Sequence, residues 1–562
     1  MKSSRQQKGL LDGQGTQGTD RQGRIAFFVL LAFMAIYYGF RMFALTPWYD
    51  ELYTYYYFIS KGPVYAAIHW PLPNNHVGYS VLSACLDLLG NAYIGLRGVS
   101  YLCALANLCL LYKIIETYKK GFWPLAGVSL YLSMNLVNML AVQGRGYTLG
   151  ITCYLTAWLC LIHICGEEKT SKRYFVFYAS ALIVGLYAVS SNVYWVVPLC
   201  LSGGIYLLIK GRWGKLFKLV AASLTAALST IFLYATIWLA IGSNLLVKDV
   251  ASIYYGMGHV KMILNAPLAA IGRGMEYMLD TPYIQSEERA GFTGRLLEWL
   301  GNLFDYYYGS FSGAIAIVWC LGLIFLAWQI VRSIGKRGRQ EPSSSKGQAV
   351  EDELLLHLCL LLGSFFVPVC LLIQCKRPYY RVFAYGGALL AILLVVLMEK
   401  IPDGVCAKRK EKGLNAAALR ESGYGCKKKI SFFLFILTGV FGVKCLFFSG
   451  YNGQYGDREH EIEEAFSKAD IGRWENFCVT DCNQQYLLYF LYGIRCESTE
   501  IEGADVVLLD KRMTEPDFDE MVWEFYHYYD TIPWEYIEQN MNKSYENKDY
   551  VLYEKRMSGN EG

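Results

Sequence analysis

The chain has 562 residues, of which 54% are hydrophobic and 18% are charged, and its formal net charge is +4. It is too apolar for an ordinary soluble enzyme, and its small net charge gives no indication of nucleic-acid binding. Uncharged blocks such as IAFFVLLAFMAIYYGF and AIAIVWCLGLIFLAWQIV approach the roughly 20 residues that cross a bilayer as a helix. The composition therefore predicts an all-α, multi-pass membrane protein.

Hydropathy predicts eleven membrane spans within a membrane domain of residues 25–450. A basic leader, residues 1–24, precedes the first span. No small-residue cleavage site lies near the end of this span, so the span is expected to be retained. The predicted spans are roughly 25–46, 93–117, 122–142, 146–165, 174–191, 193–210, 217–241, 311–333, 353–374, 380–399 and 430–449.

Lysine and arginine residues set the expected orientation, because they are enriched in cytoplasmic loops. The basic leader places the N-terminus in the cytoplasm. The short apolar segment 76–90 is predicted to lie along the outer surface, since a further crossing would send five basic loops, among them EEKTSKR, to the outer side. With this threading the loops 47–92 and 243–309 and the C-terminal domain, residues 451–562, are extracytoplasmic.

The two larger outward segments are expected to be folded. Loop 243–309 is rich in aromatic residues and is predicted to hold interfacial helices or to act as a lid. In the C-terminal domain, NFCVTDC and ADVVLLDK are typical of buried strands and NQQYLLYFLYG of a helix, which predicts a small α/β domain. A Cys478–Cys482 or Cys482–Cys496 disulfide and free thiols all fit the cysteines of this domain. No Cys/His spacing indicates a zinc site.

Four unusual stretches fall on the outward side: WYDELY, PLPNNH, QGRGYT and KRPYYR. The middles of the spans, in contrast, carry almost no ionisable residues, which argues against an ion-coupled transporter. In the first stretch, Asp50 and Glu51 come directly after span one. A single acid there would be typical of an interface residue, but two adjacent acids favour a functional site, where a carboxylate can act as a general base toward a hydroxyl.

The next two stretches supply candidate substrate-binding residues. Asn75 is predicted to cap the helix that follows it. His76 either contacts a phosphate or a substrate hydroxyl or is held by backbone groups at the helix start. Arg145 and Tyr147 lie at the outer mouth of a span, where an arginine either binds an anion or snorkels to lipid headgroups.

The KRPYYR stretch places Lys376, Arg377 and Arg381 on the outward side, against the positive-inside trend. A cationic cluster in that place should bind an anion, and phosphate at the membrane surface is the natural candidate. Contact with outer-leaflet headgroups is the alternative.

The succession of these stretches resembles a known family. WYDELYTYYYF after the first span, a Pro/Asn/His element entering a surface helix, RGVSYLCALANL and GRGYTL are similar to the polyprenyl-phosphate-dependent glycosyltransferases of the GT-C fold. The pattern resembles the family 39-like branch, with protein O-mannosyltransferases and the lipid A aminoarabinose transferase as relatives, over residues 25–400. The chain departs from the family in having PNNH in place of HPP, and SSNVYW in place of a His-Tyr pair.

This resemblance implies an enzyme that takes a sugar from a lipid-phosphate donor at the outer face, with inversion at the anomeric carbon. Asp50 would be the base, and Glu51 would orient it or bind the acceptor. The lipid tail would lie in a groove between apolar spans. The implied phosphate clamp consists of Arg145, Lys376, Arg377 and Arg381.

The sequence therefore predicts an integral membrane glycosyltransferase of a bacterial plasma membrane. Its expected partners are a polyprenyl-phosphate sugar donor, membrane lipid and a glycan, lipid or protein acceptor, and no nucleic acid. No cofactor is expected, and a divalent cation at the acidic pair is the second interpretation. Two other classes stay open: a flippase or transporter of lipid-linked sugars without transferase chemistry, and a structural protein whose outward tail binds a partner.

Overall fold

The computed structural model describes residues 2–69, 75–167, 170–242, 259–275, 287–337, 353–410, 456–469 and 471–556, and a few positions between 432 and 443. Up to residue 410 the described chain is made of helices joined by turns. The helices are α1 (Lys2–Ala44), α2 (Tyr49–Tyr57), α3 (Pro63–Ile68), α4 (Val77–Asp87), α5 (Ala92–Tyr118), α6 (Trp123–Leu132), α7 (Asn135–Leu140), α8 (Tyr147–Gly166), α9 (Lys172–Ala188), α10 (Val193–Ile209), α11 (Trp213–Gly242), α12 (His259–Met275), α13 (Phe292–Tyr308), α14 (Ser312–Arg337), α15 (Leu354–Gln374) and α16 (Gly386–Lys410).

Within the described residues, seven helical stretches are long and apolar enough to cross a membrane. The chain is therefore a multi-pass, largely helical membrane protein, as its composition predicts. Helices also cover the predicted spans 174–191 and 380–399, the latter after a 3₁₀ turn at Tyr380–Phe383. The seven stretches are Arg21–Ala44, Ala92–Tyr118, Tyr147–Gly166, Ser190–Ile209, Trp213–Ile237, Phe292–Gly335 and Leu354–Gln374.

The segment 122–142, predicted as one span, is instead two short helices, α6 and α7. The helix is interrupted after Leu132, where the Asn138 side chain donates a hydrogen bond to the Leu132 carbonyl at 2.6 Å. Asn138 in turn accepts a hydrogen bond from the Tyr38 hydroxyl at 2.7 Å. Buried side chains therefore satisfy the backbone at the break, which hydropathy alone does not reveal. The predicted span 430–449 lies outside the described residues, except for a few positions.

The apolar segment 76–90 contains α4, which is too short to cross a bilayer. Its 11 residues extend about 16 Å at 1.5 Å per residue, against a hydrocarbon core of roughly 30 Å. The helix packs against α3 and α5. The chain therefore passes from α1 to α5 through three short helices, and Asp50 lies on the first of them.

The C-terminal domain is a small α/β unit, as predicted, with three antiparallel strands in its described part in the order β1–β3–β2. The strand predicted from ADVVLLDK is β1, and the helix predicted from NQQYLLYFLYG is α18. The pattern did not predict the other two strands. The elements are α17 (Asp457–Lys468), α18 (Cys482–Tyr492), β1 (Val506–Asp510), α19 (Trp534–Asn540), β2 (Met541–Glu546) and β3 (Tyr550–Lys555).

The stretch NFCVTDC, residues 476–482, was predicted as a strand, and this was wrong. In the described chain it meets β1 through an isolated bridge between Phe477 and Val506. The Thr480 hydroxyl donates to the Leu508 carbonyl at 2.7 Å, so a side chain occupies a β1 acceptor that a paired strand would use. The cysteines of the domain are free thiols: Cys478, Cys482 and Cys496.

The C-terminal domain packs directly on α2. One apolar cluster joins Leu52, Tyr55 and Tyr56 of α2 to Leu487 and Phe490 of α18. Burial of such large side chains is the main stabilising term for a contact of this kind. The helix that carries the acidic pair is therefore also the docking surface of the C-terminal domain.

Candidate active site

Two fully buried charges, Glu51 of α2 and Arg97 of α5, form the structural centre of the candidate site. Both side chains are 0% exposed, and they are joined twice, from Nε to Oε1 at 2.8 Å and from Nη2 to Oε2 at 3.0 Å. The Arg97 Nη1 also donates to the carbonyls of Met42 and Leu45, at 3.0 and 2.5 Å. Buried ions are tolerated only when paired and hydrogen-bonded in this way. The pair thus ties the end of α1 to α2 and α5.

Glu51 also binds two backbone N–H groups. Its Oε2 accepts from Trp48 at 3.3 Å and its Oε1 from Gly144 at 2.6 Å. A Cβ at Gly144 would lie 2.5 Å from the Leu96 side chain and 3.0 Å from Glu51, so the first glycine of GRGYT is required by close packing. The Glu51 carboxylate is therefore closed to solvent, and its two oxygens are occupied by the Arg97 guanidinium and these N–H groups.

Asp50, the neighbouring acid, faces a different cation. Its Oδ2 lies 3.0 Å from the Arg381 Nη2, and its side chain keeps 15% of its surface exposed. The Arg381 Nε donates to the Tyr147 hydroxyl at 3.1 Å. The Arg381 guanidinium also lies over the rings of Trp48 and Tyr379, 5.0 and 4.8 Å from their centroids. A partly exposed carboxylate and a firmly held guanidinium therefore meet at the start of α2.

Arg145 approaches the same end of α2 from the loop before α8. Its Nη1 donates to the Thr54 hydroxyl at 2.8 Å and to the Asp50 carbonyl at 3.4 Å. Its Nη2 lies 3.4 Å from the His76 Nε2. A snorkelling arginine would expose its guanidinium, whereas Arg145 is only 3% exposed. Headgroup contact therefore does not describe this residue.

His76 is held by the backbone and presents one nitrogen toward Arg145. Its Nδ1 accepts the N–H of Gly146 at 2.9 Å. Burial, and then the charges of Arg145 and Arg381, lower the pKa of His76 well below its ordinary value, so the ring is neutral. A neutral imidazole that accepts at Nδ1 carries its proton at Nε2. Two donors, this Nε2 and the Arg145 Nη2, then lie side by side, which favours an oxygen acceptor close to both.

Asn75 was predicted as the N-cap of α4, and this was wrong, because His76 occupies that position. The Asn75 amide donates to the Ala66 carbonyl at 3.2 Å and to the carbonyl of His69. The last carbonyls of a helix have no partner within it, and Asn75 supplies one at the end of α3. Its side chain therefore holds a turn next to the site.

Arg377, another cation of KRPYYR, lies in other surroundings. Arg377 forms an ion pair with Glu287, which also binds Arg295 at 2.5 Å. This contact joins KRPYYR to the start of α13. Lys376 is buried and follows Cys375, whose φ of +52° marks the end of α15. Arg381, from the same stretch, lies against Asp50.

Five of the predicted site residues thus converge from four separate segments. They are contributed by α2, by the start of α4, by the loop and first turn at α8, and by the turn before α16. The local sequence around each gives no reason for them to meet, and only the fold brings them together. The five residues are Asp50, His76, Arg145, Tyr147 and Arg381.

The fold itself is similar to a solved one. The crystal structure of ArnT from Cupriavidus metallidurans bound to undecaprenyl phosphate aligns with a TM-score of 0.51 at 11% sequence identity, over 95% of this chain and 98% of that chain. No family model and no curated protein matches the sequence. At such low identity the likeness is one of fold. The chain has the GT-C fold.

Within this GT-C fold, the main residue that sequence reasoning missed is Arg97. It lies in the apolar stretch AYIGLRGVSYLC, and a buried arginine in such a place needs a carboxylate partner. Glu51 was already singled out, so a search for pairs of opposite charge among the apolar segments would have joined the two. Thr54, which binds Arg145, gave no signal, because a threonine in a helix is unremarkable.

Proposed function

We propose that this protein is an integral membrane glycosyltransferase that moves a sugar from a polyprenyl-phosphate-linked donor to an acceptor at the outer face of the membrane. The observation that carries the proposal is the meeting of Asp50 with Arg381, Arg145 and His76 in a GT-C fold. The similar protein ArnT was solved with undecaprenyl phosphate bound. A lipid phosphate is the kind of anion that two guanidinium groups and a neutral N–H donor would hold.

Arg381 and Arg145 are the proposed ligands of the donor phosphate. The contact with Tyr147 and the stacked rings fix the direction of the Arg381 guanidinium, which can grip two phosphate oxygens at once. The His76 Nε2 adds a donor without adding charge. As the sugar leaves, the lipid phosphate gains a negative charge, and cations already in place stabilise that charge most effectively.

Asp50 is the proposed general base. The acceptor hydroxyl oxygen forms a bond to the anomeric carbon, the bond from that carbon to the phosphate oxygen breaks, and the hydroxyl proton passes to the Asp50 carboxylate. Because phosphate is a good leaving group once neutralised, no second carboxylate is needed as an acid. The 3.0 Å pair with Arg381 suggests a coupling between the two roles. A donor phosphate that binds the held guanidinium would compete with this pair and leave Asp50 available to the hydroxyl.

An apolar pocket between α13, α14, α15 and α16 is the proposed place for the lipid tail. Its lining includes Phe383 and Tyr385, which follow Arg381 by two and four residues in the chain. An isoprenoid chain in such a pocket would bury apolar surface while its phosphate stays at the guanidinium. The lining includes Leu303, Phe304, Trp319, Val367, Pro368 and Leu389.

The acidic pair is proposed to work without a divalent cation. Asp50 faces Arg381 and Glu51 faces Arg97, so the two carboxylates diverge and do not present neighbouring oxygens to one ion. The described residues contain no group of three or more His, Cys, Asp or Glu side chains arranged to hold a metal. Glu51 is proposed to position Asp50 through the buried pair with Arg97.

Mass spectrometry of cell-envelope glycans tests the proposal. A deletion strain should lose one sugar modification, and the wild-type gene should restore it. Asp50→Asn should not restore it, whereas the matched control Asp305→Asn, an exposed acid on α13, should. Restoration by Asp50→Asn, or unchanged glycans in the deletion strain, would contradict the proposal. If the deletion strain instead lost translocation of a lipid-linked sugar, and Asp50→Asn restored that translocation, the flippase alternative would be favoured.

A further inference from the structure

The segment that leads into α2 is held by the C-terminal domain. The buried Thr46 hydroxyl donates to the Glu463 carboxylate and lies 3.2 Å from the His460 Nδ1. Gly456, at the start of α17, packs against the carbonyls of Thr46 and Pro47, and a Cβ there would lie 3.1 Å from each oxygen. The first turn of α17 therefore fits closely against the two residues that follow span one.

Glu459 lies beside the starts of both helices. Its Oε2 would lie 3.2 Å from a Cβ at Gly456, and its carboxylate faces the backbone N–H of Tyr49, the first residue of α2, and interacts with it electrostatically. The first N–H groups of a helix have no partner within it, and a carboxylate nearby is favourable. Glu459 is only 7% exposed. One buried side chain thus lies at the start of two helices, one from each domain.

Aromatic packing extends this contact along α2. The Tyr486 ring of α18 lies 5.9, 5.8 and 5.0 Å from the rings of Tyr49, Tyr53 and Tyr56. Phe490 meets Tyr55 edge to face at 5.0 Å. The opposite side of α2 is anchored in the membrane domain by the Glu51–Arg97 pair. The helix is therefore clamped from both sides.

Asp50 lies between the contact of α2 with the C-terminal domain and its contact with the membrane domain. Its preceding residue, Tyr49, faces Glu459 and packs against Tyr486, and its following residue, Glu51, is paired with Arg97. We propose that the C-terminal domain is a working part of the active site, and that Glu459 is a positioning residue that fixes the first turn of α2 and with it the Asp50 carboxylate. This inference rests on the proposed role of Asp50 as the base.

The expected loss of activity on removing Glu459 follows from the geometry of proton transfer. If the first turn of α2 frays, the Asp50 carboxylate moves, and a misplacement of about 1 Å can cost roughly 100-fold in rate. We expect Glu459→Ala to lower kcat by about 10- to 100-fold, with the KM for donor little changed, because the phosphate ligands come from other segments. Glu459→Gln keeps a carbonyl oxygen that can accept the Tyr49 N–H, so it should retain most of the activity.

Hydrogen exchange and kinetics, both measured on the purified full-length protein in nanodiscs, test the positioning role of Glu459. In Glu459→Ala, amides of peptides covering residues 46–57 should exchange at least tenfold faster than in the wild type, while peptides from α5 should not change. Glu459→Gln should show near wild-type exchange and kcat. Glu500→Ala, an exposed glutamate of the same domain, is the matched control and should behave as wild type in both measurements.

Two results would contradict the positioning role of Glu459. Unchanged exchange in Glu459→Ala, or faster exchange with unchanged kcat, would overturn the inference. If that variant does not fold, Thr46→Val removes the neighbouring contact to Glu463, and the same readouts decide. The exchange measurement does not depend on catalysis. It therefore still shows whether Glu459 holds the first turn of α2, even if Asp50→Asn turns out to be active and the proposed function fails.

Discussion

Removal of Arg97 should destabilise the protein more than almost any other single substitution in the described chain. Arg97→Met leaves the fully buried Glu51 carboxylate without its cation and two main-chain carbonyls without their donor. Breaking a buried ion pair costs about 3–5 kcal/mol, and each orphaned carbonyl adds roughly 1 kcal/mol or more. We therefore expect the free energy of unfolding to fall by about 5–7 kcal/mol, with loss of sugar transfer.

A double-mutant cycle checks this reasoning, with thermal unfolding in nanodiscs followed by tryptophan fluorescence. Glu51→Gln should also be strongly destabilising, because it takes the opposite charge away from the buried Arg97 guanidinium. The double variant Glu51→Gln/Arg97→Met removes both charges and should be about 2 kcal/mol or more less destabilised than the sum of the two single variants. Additivity within about 0.5 kcal/mol would refute the view that the two side chains stabilise the site as a buried pair.

Three further predictions concern single positions. Arg381→Lys should lower kcat/KM for a lipid-phosphate sugar by about 10- to 100-fold, because an ammonium lacks the bidentate grip; wild-type kinetics would exclude Arg381 from the site. Gly144→Ala should abolish most activity, since its Cβ would meet Leu96 at 2.5 Å, whereas Gly214→Ala, with open space around it, should be neutral in the same assay. Burial raises the pKa of Glu459 to about 7, so its contribution to stability is full below the ordinary glutamate pKa and is lost as pH rises toward 7. Glu459→Gln should therefore flatten the decline of Tm between pH 4.5 and 7, and an unchanged slope would contradict the assigned burial.

The parts of the fold that hydropathy encodes were predictable. Long apolar runs give the spans, and segment 76–90, which the charges of the following loops excluded from them, holds only the 11-residue helix α4. The break within 122–142 was not predictable, because it depends on Asn138 meeting Tyr38, a residue 100 positions away. Strand β2 was likewise missed, since MNKSYE is polar and gives no buried pattern. Strand β3, YVLYEK, was missed although its first three residues are buried.

The candidate site, like the fold, could be predicted from the sequence only in part. Residue types that are unusual for their place, such as Asp50 and Arg381, could be found from the sequence, because a charge at a membrane interface requires an explanation. Their pairing could not be found, because it joins positions 331 apart that only the helix packing brings together. The same holds for Arg377, which the sequence grouped with Arg381 but which the fold pairs with Glu287.

The most direct test of the central claim is the turnover of a labelled polyprenyl-phosphate sugar by the purified protein, with donor binding measured in the same samples. The wild type should release polyprenyl phosphate as the sugar is transferred. Asp50→Asn should bind the donor at least as well as the wild type, because Arg381 no longer pairs with a carboxylate, and yet show a turnover lower by at least about 100-fold, because the proton acceptor is lost. Turnover by Asp50→Asn equal to that of the wild type would contradict the account.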